Sequence, residues 1–172
     1  MTLFLIGYMG SGKSVIGNNL AEILSYNYID LDDYIEEKEQ TSIKKIFESK
    51  GEIYFRKIEN RYLKELTNLN KTVISLGGGT PCYGNNMTLI LESNNALSIY
   101  LKASIPTLSD RLFEEKDKRP LISHIDTKNA LNEFIGKHIF ERAPYYEQSS
   151  ITIKTDGLKI NEVVDDLILK LF

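Results

Sequence analysis

Gly7-Tyr8-Met9-Gly10-Ser11-Gly12-Lys13-Ser14 is the stretch that decides the fold of this chain, a complete G-x-x-x-x-G-K-[ST] phosphate-binding loop. The apolar run Thr2-Leu3-Phe4-Leu5-Ile6 precedes it and a segment of helical periodicity follows it. A strand that ends in a glycine-rich turn and opens into a helix aims several backbone N–H groups at one point, together with the positive end of the helix dipole. Glycines at 7, 10 and 12 let the backbone close on an anion. Lys13 can then reach the β- and γ-phosphates of a nucleotide, and the Ser14 hydroxyl is placed to ligate Mg²⁺. In this context the motif reads as a nucleoside triphosphate site.

Outward from the loop, Val15, Ile16, Leu20, Ile23 and Leu24 recur at helical spacing. Tyr28-Ile29-Asp30-Leu31 reads as a second strand ending in acids. Residues 33–66 read as helical, with Gly51 a break between shorter helices. Thr72–Leu76 is a buried strand running into Gly77-Gly78-Gly79-Thr80-Pro81. A helix around 85–93, a strand at Leu97–Leu101 and a helix over 104–113 follow. Glu114–Pro120 is almost without apolar residues and reads as an exposed, mobile loop. A helix near 127–141, a strand at Ser150–Lys154 and a helix from Asn161 complete the pattern. Strands alternating with helices predict an α/β fold, a parallel sheet covered on both faces. Ligands in such sheets bind beyond the carboxyl ends of the strands.

The bulk properties set the outer limits. A chain of 172 residues is one domain of ordinary size, and 42% hydrophobic with 26% charged residues is the composition of a soluble globular protein. A net charge of −3 argues against a nucleic-acid partner. No apolar run approaches the ~20 residues that span a bilayer, and the short N-terminal run lacks the basic flank of a signal peptide. The single cysteine, Cys82, fits a reducing cytoplasm. His124 and His138 have no neighbours at zinc spacing and read as solvated or packed residues.

The strand ends carry a second layer of chemistry. On an extended chain, Asp30 and Asp32 point the same way, so both carboxylates would face the phosphates; one would hold Mg²⁺ and the other orient an attacking hydroxyl. Acids also favour helix N-termini, and Asp33 reads that way. Gly77-Gly78-Gly79 after a buried strand implies bare N–H groups or the close approach of a ligand, with an ordinary turn as the alternative. Arg56, Glu59 and Asn60 share one helical face, a pattern common on solvated surfaces. Spacing alone assigns neither Arg56 nor Arg142. Arg119 is better placed, as a cation in a polar loop that can close over transferring phosphate.

Taken together, the loop at 7–14, Asp30-x-Asp32, Phe55-Arg56-Lys57-Ile58-Glu59, Gly77–Thr80, Arg119-Pro120-Leu121 and Arg142-x-Pro-x-Tyr resemble the shikimate kinase family in order and spacing, over nearly the whole chain. The resemblance implies a P-loop NTPase fold of the nucleoside monophosphate kinase type, a five-stranded parallel sheet in order 2-3-1-4-5 flanked by helices, with a mobile lid. It implies a single kinase domain over 1–172, with a substrate-binding helical segment at about 32–60 and the lid at about 114–125. The implied reaction is ATP-dependent phosphorylation of the 3-hydroxyl of shikimate, in chorismate and aromatic amino-acid biosynthesis. Gly10, Ser11, Gly12, Lys13, Ser14, Val15, Arg111 and Arg119 would bind ATP, with Arg111 stacked on adenine. Lys13, Asp32 and Arg119 would be catalytic, and Ser14 with Asp30 would bind Mg²⁺. Asp32, Arg56, Gly78, Gly79 and Arg142 would bind shikimate, the two arginines meeting its carboxylate, with Glu59 orienting Arg56.

Val15 departs from the family pattern where many members carry Thr, and Lys159 where several place an arginine against adenine; both bear on base affinity. The nearest alternatives are a gluconate or nucleoside monophosphate kinase of the same fold and a nucleotide-dependent switch. Asn70-Lys71-Thr72-Val73 lacks the acid of the guanine-reading Asn-Lys-x-Asp element, which counts against a GTPase. Nothing in the sequence demands a dimer or a membrane partner, and a cytoplasmic monomer is the expectation.

Overall fold

The computed structural model describes Met1–Phe172 in full. In chain order the elements are β1 (Thr2–Ile6), α1 (Lys13–Leu24), β2 (Asn27–Asp30), α2 (Leu31–Glu39), α3 (Ile43–Leu66), β3 (Thr72–Ser75), α4 (Asn86–Leu91), β4 (Ala96–Lys102), α5 (Ile105–Glu115), α6 (Lys128–Tyr146), β5 (Ile151–Lys154) and α7 (Ile160–Leu171). All strand pairs are parallel and the sheet runs β2-β3-β1-β4-β5, as expected.

β1 sits at the centre, with Thr2 opposite both Thr72 of β3 and Ala96 of β4. Every residue of Leu3–Ile6 is fully buried. Side-chain alternation along a strand splits them between two cores. Phe4 and Ile6 join Ile74, Tyr100 and the inward faces of α3, α5 and α6. Leu3 and Leu5 join Val73, Ile99, Leu101 and residues of α1 and α7. Each buried apolar side chain contributes ~1.5–3 kcal/mol, so a continuous apolar strand is stable only where helices cover both faces. Gly17 allows α1 to lie close on the sheet, since a Cβ there would come within 2.6 Å of the Tyr28 ring and 3.0 Å of Leu5. That approach helps aim the N-terminus of α1 over the end of β1.

Three expectations change. β2 ends at Asp30, and Leu31 already begins α2, so Asp30 and Asp32 are not neighbours on one strand face. Asp30 is instead the N-cap of α2, its Oδ1 accepting from the backbone N–H groups of Asp32 (2.9 Å) and Asp33 (3.4 Å). The carboxylate satisfies orphan donors of the first turn, which stabilises helix over strand from Leu31 onward. α6 continues past residue 141 to Tyr146, through Pro144. The proline removes one N–H donor toward Phe140, an exposed residue, while the fully buried Tyr146 ring anchors the last turn. The segment after 113 also begins inside a helix rather than as a loop. α5 runs to Glu115, Lys116–Lys118 form a 3₁₀ turn, and buried Ile122 and Ile125 pin an otherwise exposed strip to the core. Lys116 Nζ adds a bond to the Ile125 carbonyl at 3.0 Å. Gly51 does interrupt α3, with φ 81° and ψ 173° inside the helix.

Candidate active site

The phosphate loop joins β1 to α1. Gly12, at φ 93°, is the N-cap of α1, with no side chain capping the helix and no acid in its first turn. The N-terminal N–H groups are thus left for an external anion. Lys13 Nζ lies against the loop, donating to the carbonyls of Gly7 (2.8 Å) and Tyr8 (3.0 Å). Burial lowers its pKa to about 8, opposed by the carboxylates of Asp30 and Asp32, so it remains largely cationic at neutral pH.

A cleft of about 550 Å³ opens over this loop, lined by Gly10–Val15, Asp30, Asp32, Gly77, Gly78, Arg111 and Arg119. Its other wall is Thr155, Leu158, Ile160 and Val163, an apolar strip the sequence reading passed over. Lys159 is exposed and does not line the cleft, so the adjacent Leu158 and Ile160 present the surface a nucleotide base would meet. Val15, about half exposed, offers a methyl edge at the same mouth. Arg111 donates from Nη1 to the Gly10 carbonyl at 3.0 Å, bracing the loop while lining the cleft. Arg119 pairs with Glu115 at 3.0 Å, and its buried Nε has no partner.

The three glycines after β3 are where side chains from three helices converge. A Cβ at Gly77 would stand 3.3 Å from Asp32 Oδ1, one at Gly78 3.2 Å from Arg142 Nη1, and one at Gly79 3.3 Å from Arg56 Nη2. Consecutive residues of one turn therefore touch a carboxylate and two guanidinium groups that arrive from α2, α6 and α3. Larger residues would push these groups away from the turn.

The charges around that turn are unequal. Arg56 Nη1 donates to Glu59 Oε1 at 2.9 Å, and its guanidinium lies 3.5 Å from the centre of the Tyr83 ring. Glu59 is 1% exposed, and its other oxygen accepts from the Thr80 hydroxyl at 2.8 Å. A buried carboxylate is tolerable only when paired in this way. Arg142, in contrast, is half-buried and has no carboxylate within ion-pair distance. Asp32 is half-buried, and its pKa is pushed up to about 6, first by burial and then by the nearby carboxylates of Asp30 and Glu59, against the pull of Lys13. Asp30 is raised as well, mainly by burial.

The donors present fit a divalent cation. Asp30 spends only Oδ1 on its capping bonds, the Ser14 hydroxyl is exposed at the loop, and both line the cleft. No cluster of three or more His, Cys, Asp or Glu side chains could form an all-protein cage. That donor set suits Mg²⁺, which is commonly held by one or two protein oxygens plus phosphates and water.

The structure thus brings together the residues read from the sequence and adds several it missed. Thr80 holds Glu59, Tyr83 stacks on Arg56, and the buried Tyr146 hydroxyl bonds the Gly78 carbonyl. Phe134, His138, Arg142 and Tyr146 recur every four residues on α6, the i,i+4 spacing that could have marked them as one stripe. Asn60 turns from Arg56 to bond Asn85 (2.8 Å) and Asn86 (2.7 Å), and so serves the scaffold.

Known proteins similar to this chain match it over nearly its whole length. The sequence model described as shikimate kinase matches residues 9–172. The chain is 47% identical over 167 residues to the shikimate kinase of Flavobacterium johnsoniae, covering 96% of each. The crystal structure of shikimate kinase from Bacteroides thetaiotaomicron superposes with a TM-score of 0.91 at 33% identity, over 99% of this chain and 98% of the other. Shikimate kinase from Acinetobacter baumannii, determined in complex with shikimate, gives a TM-score of 0.84 at 28% identity, over 99% of this chain and 92% of the other.

Proposed function

The chain belongs to the shikimate kinase family, with shikimate kinase activity in the shikimate pathway, and we propose that the reaction is run by the cleft between the phosphate loop and the glycine turn. The family uses ATP. In our reading its phosphates lie along Gly10–Ser14, and its base sits between Arg111, Val15 and the Leu158–Ile160 strip. The 3-hydroxyl of shikimate attacks the γ-phosphorus, the bond to the β–γ bridging oxygen breaks, and ADP leaves. Asp32 orients that hydroxyl and takes its proton; a carboxylate titrating at about 6 is largely ionised at neutral pH yet basic enough to assist. Lys13 and Arg119 stabilise the charge that spreads over the transferring phosphoryl group. Ser14 and Asp30 would hold Mg²⁺, whose positive charge supplies further stabilisation of the phosphate oxygens.

The observation that carries the acceptor assignment is Arg142, a half-buried guanidinium beside Gly78 with no acid of its own. Together with Arg56 it forms a cationic pair suited to a carboxylate. We assign Arg56, Arg142, Gly78 and Gly79 to shikimate, with Glu59 holding Arg56 in place. The helical segment 32–60 and the lid at 114–125 are the parts expected to move around these ligands. We place the enzyme in the cytoplasm as a monomer; no helix is long and apolar enough to cross a membrane.

An ADP-release assay with ATP and Mg²⁺ tests the substrate and site together. ADP release should respond to shikimate and hardly at all to gluconate, AMP or CMP. Faster turnover with gluconate would move the assignment to a gluconate kinase, and hydrolysis indifferent to every acceptor would favour a nucleotide switch.

A further inference from the structure

One contact ties the phosphate loop directly to α6. Tyr8 belongs to the phosphate loop, yet its side chain leaves the nucleotide side and runs to α6. There its hydroxyl meets His138 Nδ1 at 2.9 Å, across 130 residues of sequence. The Tyr8 ring is 1% exposed and lies beneath Arg142, whose guanidinium carbon is 5.6 Å from the ring centre. Phe134 packs against His138, with ring centres 4.5 Å apart in an edge-on arrangement. His138 stands one turn before Arg142 on the same face of α6.

We propose that Tyr8 and His138 are positioning residues for Arg142, a strut from the phosphate loop that holds this unpaired guanidinium against Gly78. The proposal rests on the assignment of Arg142 to the acceptor's carboxylate. A long arginine without an acid partner has many rotamers to choose from, and holding it in one raises affinity by removing that entropy from the binding step. The aromatic face of Tyr8 supplies a weakly attractive floor for the cation. The bond to His138 keeps the ring at that height. Protonation states agree with the strut: burial pushes the Tyr8 phenol up to about 12, while burial and the nearby Arg142 charge lower His138. With the phenol protonated and His138 neutral, the pair shares one hydrogen bond, donated by Tyr8 when the imidazole proton sits on Nε2. The same Tyr8 carries the carbonyl that receives Lys13, so the loop residue beside the phosphoryl lysine also sets the acceptor's anchor.

The test is steady-state kinetics of the full chain with shikimate and ATP. Tyr8→Phe keeps the floor and deletes the strut; His138→Leu deletes the ring nitrogen that Tyr8 meets; His138→Asn restores a polar amide near the Nδ1 position. Tyr8→Phe and His138→Leu should each raise the KM for shikimate about fivefold, with the KM for ATP moving by less than about twofold. His138→Asn should recover most of that loss, which a variant defective in folding would not do. In an Arg142→Ala background, Tyr8→Phe should add no further loss, because it acts through Arg142. An equal added loss in that background overturns the proposal, as does a parallel rise in both KM values. A wild-type shikimate KM for Arg142→Ala overturns the carboxylate assignment itself and the strut with it.

Discussion

Replacing Asp32 with Asn should make the protein more stable at neutral pH and nearly inert. Asp32 sits at the start of α2 against Gly77, and its carboxyl is raised from 3.8 to about 6 by burial and by the charges of Asp30 and Glu59. That difference is worth ~3 kcal/mol, and its sign is unfavourable to folding. The unfolded chain releases the proton near 3.8, and the folded chain keeps it to about 6. Between those values the folded state binds more protons, so stability is lost as pH rises through the window. The whole penalty is present above it. Asn is nearly isosteric, carries no charge and breaks no hydrogen bond made by the Asp32 side chain. What it forfeits is the favourable position of an acid in the first turn of a helix, roughly 0.3–1 kcal/mol. The net gain should be ~2 kcal/mol at pH 7.5, which for a chain of this size is a rise in Tm of about 4–8 °C. At pH 5 the gain should fall to roughly half, because much of the wild-type penalty is then relieved by protonation. Meanwhile kcat should drop by about 100-fold or more, the usual cost of removing a group that orients and deprotonates a nucleophile. Thermal unfolding at the two pH values, alongside ADP release, measures both effects. A variant that melts lower than wild type at pH 7.5, or gains equally at pH 5 and 7.5, would refute the claim that Asp32 is held at an energetic cost for its function.

Lys13→Ala should abolish turnover with little change in Tm, since its amine bonds only loop carbonyls; retention of more than about a tenth of kcat, ~1.4 kcal/mol, would remove Lys13 from the mechanism. Arg142→Ala and Arg56→Ala should each weaken shikimate binding by ~2 kcal/mol, read by calorimetric titration. They should differ in stability: Arg56→Ala strands the buried Glu59 and should lower Tm by several degrees, whereas Arg142→Ala orphans no acid, and equal Tm losses would contradict that asymmetry. In hydrogen exchange, the strip 114–125 should be among the least protected outside Ile122 and Ile125 and should gain protection with nucleotide and acceptor together; unchanged exchange in the ternary complex would argue against closure over Arg119. Gly17→Ala should destabilise the fold by ~1–3 kcal/mol in urea, because its methyl would meet Tyr28 and Leu5 within 3.0 Å; unaltered stability would show that α1 can lift from the sheet freely.

Much of this protein is written locally. The phosphate loop, the apolar run of β1 and the strand–helix alternation depend on neighbours within a few residues, and they predict the parallel sheet and the cleft above its carboxyl edge. Asp30-x-Asp32 was visible as a pair, but its geometry was not. Whether two acids lie on a strand or across a helix cap turns on a single boundary, decided here by the capping bonds of Asp30. The charged run 114–120 is bare of core residues because the anchors of this segment, Ile122 and Ile125, lie beyond it and show their role only when buried. Distance in sequence hid the rest. Arg142 beside Gly78, Thr80 on Glu59 and Tyr8 on His138 join residues 64, 21 and 130 positions apart. No periodicity encodes such pairs, because they arise where the sheet order brings the end of β3 under α6 and beside α3. Local sequence can place an arginine on a helix face, but which arginine is left without an acid follows only from which carboxylates the packed chain brings within reach. At this site that difference separates Arg56, spent partly on Glu59, from Arg142, whose charge no carboxylate meets.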